Sequence, residues 1–482
     1  MEKELFLGLD LGTSGLRAIV ADETGAVVSS VSAPLVRDRK DAANGLHEQD
    51  AEEWLEVARK VLGEAAAQSR RTRPDSRIAA ISVDGTSGTV VAVDEALRPV
   101  SPAIMYDDTR CSAVAKEISP RLAPIEEKMG YRFSCSFGAP KVAWLMRQPQ
   151  GSSARWFLSA ADFLASHITA AGASTDTSNA LKMGFDLLDM RWPAQLKTAG
   201  IPIEKLPPVL RSGSLIAPVA PAFARSCSLD ENVAVVAGLT DGTAGLLATG
   251  ASAVGQMAST VGTTLVVKLV WNRILKDPEG RIYCHYHPDD HWLPGGACNA
   301  GALALEDRFG RERLAALESA APRDPTSILI YPLTGTGERF PFLAPNAQRF
   351  VVGNAANDAE LYRAFLEGIA FVEKLSVELL ESMGAKVGSP VWSAGSAGQV
   401  RLLGRIRASV LRRPIAISRN SQSAFGSAIL AASAVNFKSV EKASSKMAFP
   451  EAILEPEKEW AEFYEKTYRQ WKNELYKRGW LL

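Results

Sequence analysis

The sequence predicts a two-domain α/β protein with a ligand cleft between the domains, on three observations. Its 482 residues, 46% hydrophobic and 22% charged, exceed what one hydrophobic core usually organises. A pattern of strand, Gly-Thr turn and strand opens the chain and returns near its midpoint, Thr263 following Thr13 by 250 residues. Between the two copies, apolar strand-like runs end in glycine- and hydroxyl-rich turns bearing a carboxylate, which is where open α/β sheets bind ligands. The expected domains are residues 1–250 and 251–482.

The first copy, LGLDLGTSGLRAIVADETG (Leu7 to Gly25), has apolar runs on both sides of its turn, Leu5 to Leu9 and Leu16 to Ala21. Gly12 and Gly15 allow a tight turn with positive φ and clear side chains from a backbone that must approach a ligand. Bare N–H groups, the hydroxyls of Thr13 and Ser14 and the carboxylate of Asp10 form a phosphate-and-metal cradle, with an ordinary hairpin as the plain alternative. From Ala79 to Arg110, a strand ends at Asp84-Gly-Thr-Ser-Gly-Thr89, a second strand follows, and a loop Tyr106-Asp107-Asp108-Thr109-Arg110 comes next. Carboxylates, hydroxyls and an arginine on two loops suit a polyhydroxylated ligand, because each hydroxyl both donates and accepts; a solvated turn is the alternative.

In NVAVVAGLTDGTAGLLATG (Asn232 to Gly250) a strand from Val233 to Ala237 runs into glycines and a helix-like small-residue segment. Asp241, just beyond that strand and beside helix N–H groups, is a candidate general base; an N-cap aspartate is the alternative. The second copy, Gln256 to Trp271, carries Gly262-Thr263-Thr264 at its tip, a phosphate cradle from the other half. YCHYHPDDHW (Tyr283 to Trp292) gathers three of the five histidines with Cys284, Asp289 and Asp290, reading as a polar hairpin with a zinc site as the alternative. Near the C-terminus Trp460, Phe463, Tyr464, Tyr468 and Trp471 recur at helical spacing, expected as a helix docked on the body, a partner-binding helix being the alternative.

Lysine plus arginine equal aspartate plus glutamate, 54 each, so no net field favours nucleic acid or an anionic membrane as partner. The apolar stretch Val233 to Val254 contains Asp241 and many glycines and threonines, and reads as strand and loop rather than a membrane span. The N-terminal apolar run is too short for a signal peptide, and five scattered cysteines without CxxC spacing suit a reducing compartment without disulfides. The expected setting is cytoplasmic, or the plastid stroma for a processed plant form, with the chain a monomer or homodimer.

Taken in order, these segments resemble the FGGY carbohydrate kinases of the actin, hexokinase and heat-shock ATPase superfamily over nearly the whole chain. The motifs are the hairpin Asp10 to Gly15, GLHEQDAEEWLEVA (Gly45 to Ala58), the sugar loop Tyr106, Asp108 and Arg110, STDTSNALKMGFDL (Ser174 to Leu187), Gly238 with Asp241, and Gly262-Thr263-Thr264. They continue with YPLTGTGERFPFLAPNAQRFVVG (Tyr331 to Gly353), LYRAFLEGIAF (Leu361 to Phe371), a nucleotide part at Val391 to Ile415, and the closing helix SAFGSAILAA.

The resemblance implies a two-domain actin-like ATPase fold (ribonuclease H-like), with mixed sheets flanked by helices. It implies a sugar kinase that uses ATP and Mg²⁺ and passes the γ-phosphate to a hydroxyl, with Asp241 as catalytic base. Asp10, Asp84, Ser87, Asp108 and Arg110 then bind the sugar. Gly12, Thr13, Ser14, Gly262, Thr263, Thr264, Gly301, Gly395 and Gly398 hold nucleotide and phosphates, and Asp10 and Asp241 hold Mg²⁺ partly through water. VDGTSGT (Val83 to Thr89) is most similar to the plant and cyanobacterial branch acting on D-ribulose, whose product is D-ribulose 5-phosphate. The alternatives are a kinase for xylulose or a polyol such as glycerol, or a weakly active, nucleotide-gated regulatory protein. The chain departs from the family at Gly395-Ser-Ala-Gly398-Gln-Val, at Ala408-Ser409-Val410-Leu411, and at Tyr106 in place of tryptophan.

Overall fold

The computed structural model describes residues 3–481. Two compact units emerge: one runs to Ser252 and takes in His285–His291 and Asn420–Ala448, and the other holds Ala253–Cys284, Trp292–Arg419 and the chain from Phe449 onward. The segments His285–His291 and Asn420–Ala448, which lie within the expected second domain, group with the first unit.

The first unit is built on a six-stranded sheet. Its strands are β1 (Lys3–Gly12), β2 (Gly15–Asp22), β3 (Val27–Pro34), β4 (Ser76–Gly85), β5 (Leu215–Pro218) and β6 (Ala234–Thr240), in the order β5-β6-β4-β1-β2-β3. β1, β2 and β3 form an antiparallel meander, whereas β1, β4 and β6 run parallel. Parallel strands covered on both faces read as nearly continuous apolar runs, as β1 and β4 do. Leu5, Leu7 and Leu9 join one buried cluster with Trp54, Ala58 and Leu62 of α1 (Ala51–Thr72). Phe6, on the opposite face, joins residues of α2 (Asp241–Thr249) and α3 (Ser423–Ala432) in a second cluster.

That second face explains why α3 counts with the first unit. A Cβ on Gly8 would overlap the Ala424 carbonyl oxygen, and one on Gly426 would overlap that of Ala244. The small residues of SAFGSAILAA thus let a helix lie directly on β1 and α2, where larger side chains would hold it off.

The second unit repeats the hairpin theme. β7 (Met257–Val261) and β8 (Leu265–Leu269) pair antiparallel, and β7 pairs parallel with Val391–Ala394, as β1 does with β2 and β4. Buried ion pairs tie its helices: Arg407 Nε donates to Glu373 at 2.6 Å, and Arg363 Nε to Glu367 at 3.0 Å. The helix Lys458–Lys477 docks as its aromatic spacing predicts, with Trp460, Tyr464, Tyr468 and Trp471 buried, Phe463 partly exposed, and Trp471 Nε1 donating to the Ile330 carbonyl at 2.8 Å.

The histidine-rich hairpin has other partners than a metal. The Asp289 carboxylate caps the Val440 and Glu441 N–H groups at 2.9 Å, Asp290 pairs with Arg211, and Cys284 Sγ donates to the Leu275 carbonyl. Among the described residues no group of three or more His, Cys, Asp or Glu side chains is arranged to hold a metal ion directly.

Two carboxyls sit fully buried beside β6. Asp176 accepts from the Ser178 and Asn179 N–H groups at 2.8 Å, and Asp162 closes a capping box with Ser159. Burial pushes Asp162 up to about 6; burial, then the charge of Asp162, pushes Asp176 up to about 7. Because the folded chain holds these protons more tightly than the unfolded one, the pair's contribution is full below pH ~4 and is lost as pH rises through 6 to 7. Asp176→Asn, which keeps a capping oxygen, should flatten the decline of the thermal midpoint across that window. Gly8→Ala should cost about 1–3 kcal/mol or more in denaturant unfolding, from overpacking against α3.

Candidate active site

Three neighbouring strands bring three carboxyls to one end of the first unit's sheet. Asp10 stands opposite Asp84 in the β1–β4 register, and Leu239 opposite Asp84 in the β6–β4 register, so Asp241 begins α2 beside them. Burial raises Asp10, which a hydrogen bond from Asp84 opposes and the charge of Asp241 reinforces. Asp84 is fully buried and is pushed well above the carboxylate range, by burial first and then by the charge of Asp10, while the Ser427 hydroxyl donates to it at 2.5 Å. Its Oδ1 lacks a protein donor, which leaves a proton shared with Asp10 to satisfy it. Asp241 is the first residue of α2 and the cap position belongs to Thr240, so the capping alternative is not the one the fold uses.

The first hairpin differs in detail from its prediction. Gly12 and Gly15 both lie outside the left-handed region. Gly15 is required for a different reason: a Cβ there would lie 2.5 Å from the Ala33 carbonyl oxygen on β3. Beside the hairpin opens a groove of about 390 Å³ lined by Asp10, Gly12, Ser14 and Arg17.

A hydrogen-bonded chain ties this hairpin to the loop 106–110. Gln49 Nε2 donates to the Thr13 carbonyl at 2.7 Å and to Asp38 Oδ1 at 3.0 Å. His47 lies between Asp38, at 2.8 Å from Nε2, and Asp107, at 2.5 Å from Nδ1. Asp108 is buried and spends its oxygens on the His47 N–H (2.8 Å) and on the Arg110 N–H and Nε (3.0 and 2.9 Å). Asp108 thus sets Arg110, whose guanidinium also pairs with Glu48 and lies over the Trp144 ring.

Ser87 lies on the loop after β4, its Oγ buried without a partner. Its carbonyl accepts from Lys182 Nζ at 3.2 Å, and burial pushes this ammonium down to about 8, opposed by the charge of Asp241. Lys141, likewise lowered to about 8 by burial, donates to the Tyr106 and Cys135 carbonyls. Sequence reasoning missed Lys182, Lys141, Gln49 and Ser427. All but Lys141 lie inside motifs it quoted; the local signal for Ser427 was the small-residue helix SAFGSAILAA.

The predicted nucleotide residues of the second unit converge around the end of β7. The Gly262 carbonyl accepts from the Ala302 N–H at 2.9 Å, and a Cβ on Gly301 would come 2.5 Å from the Thr263 carbonyl oxygen and from Thr264 Cα. Gly395, with φ of 85°, would bring a Cβ 2.5 Å from the Val261 carbonyl oxygen, and Gly398 lies beside Ser393 and the Val261 N–H. The Glu338 carboxylate holds the adjacent turn through the Asn299 and Ala300 N–H groups at 2.6 and 3.2 Å.

The donor set in the first unit fits a hydrated divalent cation. Asp10 and Asp241 are carboxylates that disfavour each other's charge, and a cation that takes few carboxylates and keeps several waters would relieve that repulsion.

Comparison with known proteins accords with this geometry. Residues 5–248 match the FGGY family of carbohydrate kinases, N-terminal domain, and residues 257–435 its C-terminal domain. The chain belongs to the FGGY family of carbohydrate kinases. It is 25% identical to a xylulose kinase of Staphylococcus epidermidis over 97% of this chain and 96% of that one. It is 26% identical to a gluconokinase of Bacillus subtilis over 76% and 74%. Among solved structures, a gluconate kinase from Lactobacillus acidophilus superposes with a TM-score of 0.86 at 20% identity, covering 98% of each chain. The fold is thus the two-domain actin-like one, and the protein is a sugar kinase of a family that uses ATP and a divalent metal. No helix among the described residues is long and apolar enough to cross a membrane.

Gln49→Leu, which frees the Thr13 carbonyl, should lower kcat/KM about tenfold to a hundredfold, since small displacements of a positioned group cost that much. Steady-state kinetics with varied ATP should show the loss mainly as a raised KM for ATP.

Proposed function

We propose that this kinase phosphorylates a ketopentose, with D-ribulose as acceptor and D-ribulose 5-phosphate as product. The observation that supports it most is the meeting of Asp10, Asp84 and Asp241 at the ends of three adjacent strands. Asp241, half-buried at the helix start, takes the proton from the attacking hydroxyl. The α2 N–H groups and the hairpin N–H groups near Thr13 and Ser14 stabilise charge on the transferring phosphoryl group. Arg110, held by Asp108 and Glu48, and Ser87 orient the sugar. In the second unit Gly262, Thr263, Thr264, Gly301, Gly395 and Gly398 hold the nucleotide, their side-chain-free backbones allowing close approach. Asp10 and Asp241 would hold Mg²⁺ partly through water, and the ion would supply charge neutralisation of the phosphates.

D-Ribulose rests on the likeness of Val83 to Thr89 to that branch. D-Xylulose is the second reading, favoured by the xylulose kinases among the relatives. The test is coupled ADP release with Mg-ATP against D-ribulose, D-xylulose, L-ribulose, ribitol and glycerol. Turnover should be strong on one ketopentose, and Asp241→Ala should reduce it roughly 10²- to 10⁴-fold. Preference for glycerol, or full activity in the variant, would overturn the reading.

A further inference from the structure

Lys182 is a buried cation that the chain does not neutralise in the ordinary way. It is 9% exposed, and its one hydrogen bond among the described residues goes to the Ser87 carbonyl. The Phe137 ring lies 5.5 Å from the ammonium, and a Cβ on Gly88, held at φ of 92°, would come 3.3 Å from Lys182 Cδ. Gly88 therefore packs against the lysine stem while the Ser87 carbonyl holds its head. An ammonium carries three donors and no acceptor, so two of its N–H bonds remain for other partners. The Ser87 hydroxyl, on the residue that receives the first bond, is buried with no partner of its own. Among the described residues the nearby Lys141 also bonds only carbonyls, and the carboxylate whose charge bears on Lys182 is Asp241.

We infer that Lys182, together with the Ser87 hydroxyl, binds an sp² oxygen of the acceptor and so selects substrates that carry a carbonyl-type oxygen over those that carry hydroxyls alone. The inference rests on the proposed sugar kinase reading and sharpens its substrate class. A keto or carboxylate oxygen only accepts, which suits two donors, and its bond to a buried ammonium is charge-assisted. A hydroxyl in the same place must spend its own proton on the second lone pair of the Ser87 carbonyl or on the Ser87 hydroxyl, and so accepts from the two donors less fully than an sp² oxygen does. The oxygen has two chemical sources, the ketone of an open-chain ketose and the carboxylate of an aldonate.

The experiment compares wild type with Lys182→Met and Lys182→Arg, using D-ribulose, D-ribonate and ribitol as ligands. Affinity is read by calorimetry, and kcat and KM separately by ADP release. Lys182→Met should weaken the ligand with the preferred sp² oxygen about tenfold to a hundredfold, seen in KM more than in kcat, while ribitol affinity changes far less. Whichever of D-ribulose and D-ribonate suffers the larger loss identifies the source, and Lys182→Arg should recover part of it. Equal losses on all three ligands, or undiminished affinity for both sp² ligands, would overturn the inference. If wild type turns over no sugar, the proposed function fails, whereas the binding comparison still decides the role of Lys182.

Discussion

The first unit depends on one electrostatic constraint: three carboxyl groups stand at the ends of three adjacent strands, two of them withdrawn from water. Like charges so close cannot all be ionised without compensation. At Asp84 burial and then the charge of Asp10 favour the protonated form, against the Ser427 hydroxyl that donates to it, and at Asp10 burial acts in the same direction against the hydrogen bond from Asp84. Asp241 meets the constraint through the N-terminus of α2, where exposed N–H groups favour an anion. What remains uncompensated attracts a cation, so the electrostatic difficulty of the apo fold is the same property that equips it for a metal-bound phosphate.

Holding the carboxyls there requires α3 to lie very close to the sheet. Gly8 on β1 and Gly426 on α3 remove the two Cβ atoms that would prevent it, and only at that separation does Ser427 reach Asp84 and the Ser423 hydroxyl reach the Asp241 carbonyl, at 3.1 Å. Packing and electrostatics are thus joined in one helix. The chain returns to the first unit after residue 419 because the sheet face there fits small residues and little else.

This division between local and tertiary information accounts for what could be read beforehand. The strand–turn–strand repeat was legible because period-2 apolar runs around a Gly-Thr tip are a local pattern, and Asp241 because a carboxylate between a buried strand and a glycine-rich helix start is one too. The second unit's glycines were legible through family likeness, and their convergence around β7 follows from backbone approach rather than side-chain chemistry. That Asp108 holds Arg110 and the His47 backbone was not legible, because an aspartate beside an arginine looks the same in sequence whether or not it holds its neighbour. Lys182 was passed over because nothing local distinguishes a solvated lysine from one enclosed by a distant loop. The φ of Gly12 and Gly15 was misread because a glycine needed for close approach and one needed for a left-handed turn share the same letter.

The link from the loop 106–110 to the first hairpin gives the site a mechanical property that separate residues would lack. Asp107 and Asp108 hold His47 by its ring and its backbone, His47 holds Asp38, and Gln49 connects Asp38 to the Thr13 carbonyl. Gln49 has no slack, since its Oε1 is fixed by Trp54 Nε1 at 3.0 Å in the core of α1. A displacement of the loop that carries Arg110 must therefore move the hairpin tip or break a buried hydrogen bond, and breaking one leaves a polar group unsatisfied at a cost of about 1–3 kcal/mol. With the site roles proposed above, that penalty couples acceptor binding to phosphate positioning. For a kinase such coupling is useful in one direction above all: a hairpin that takes its working geometry with the loop occupied favours transfer to the sugar over transfer to water.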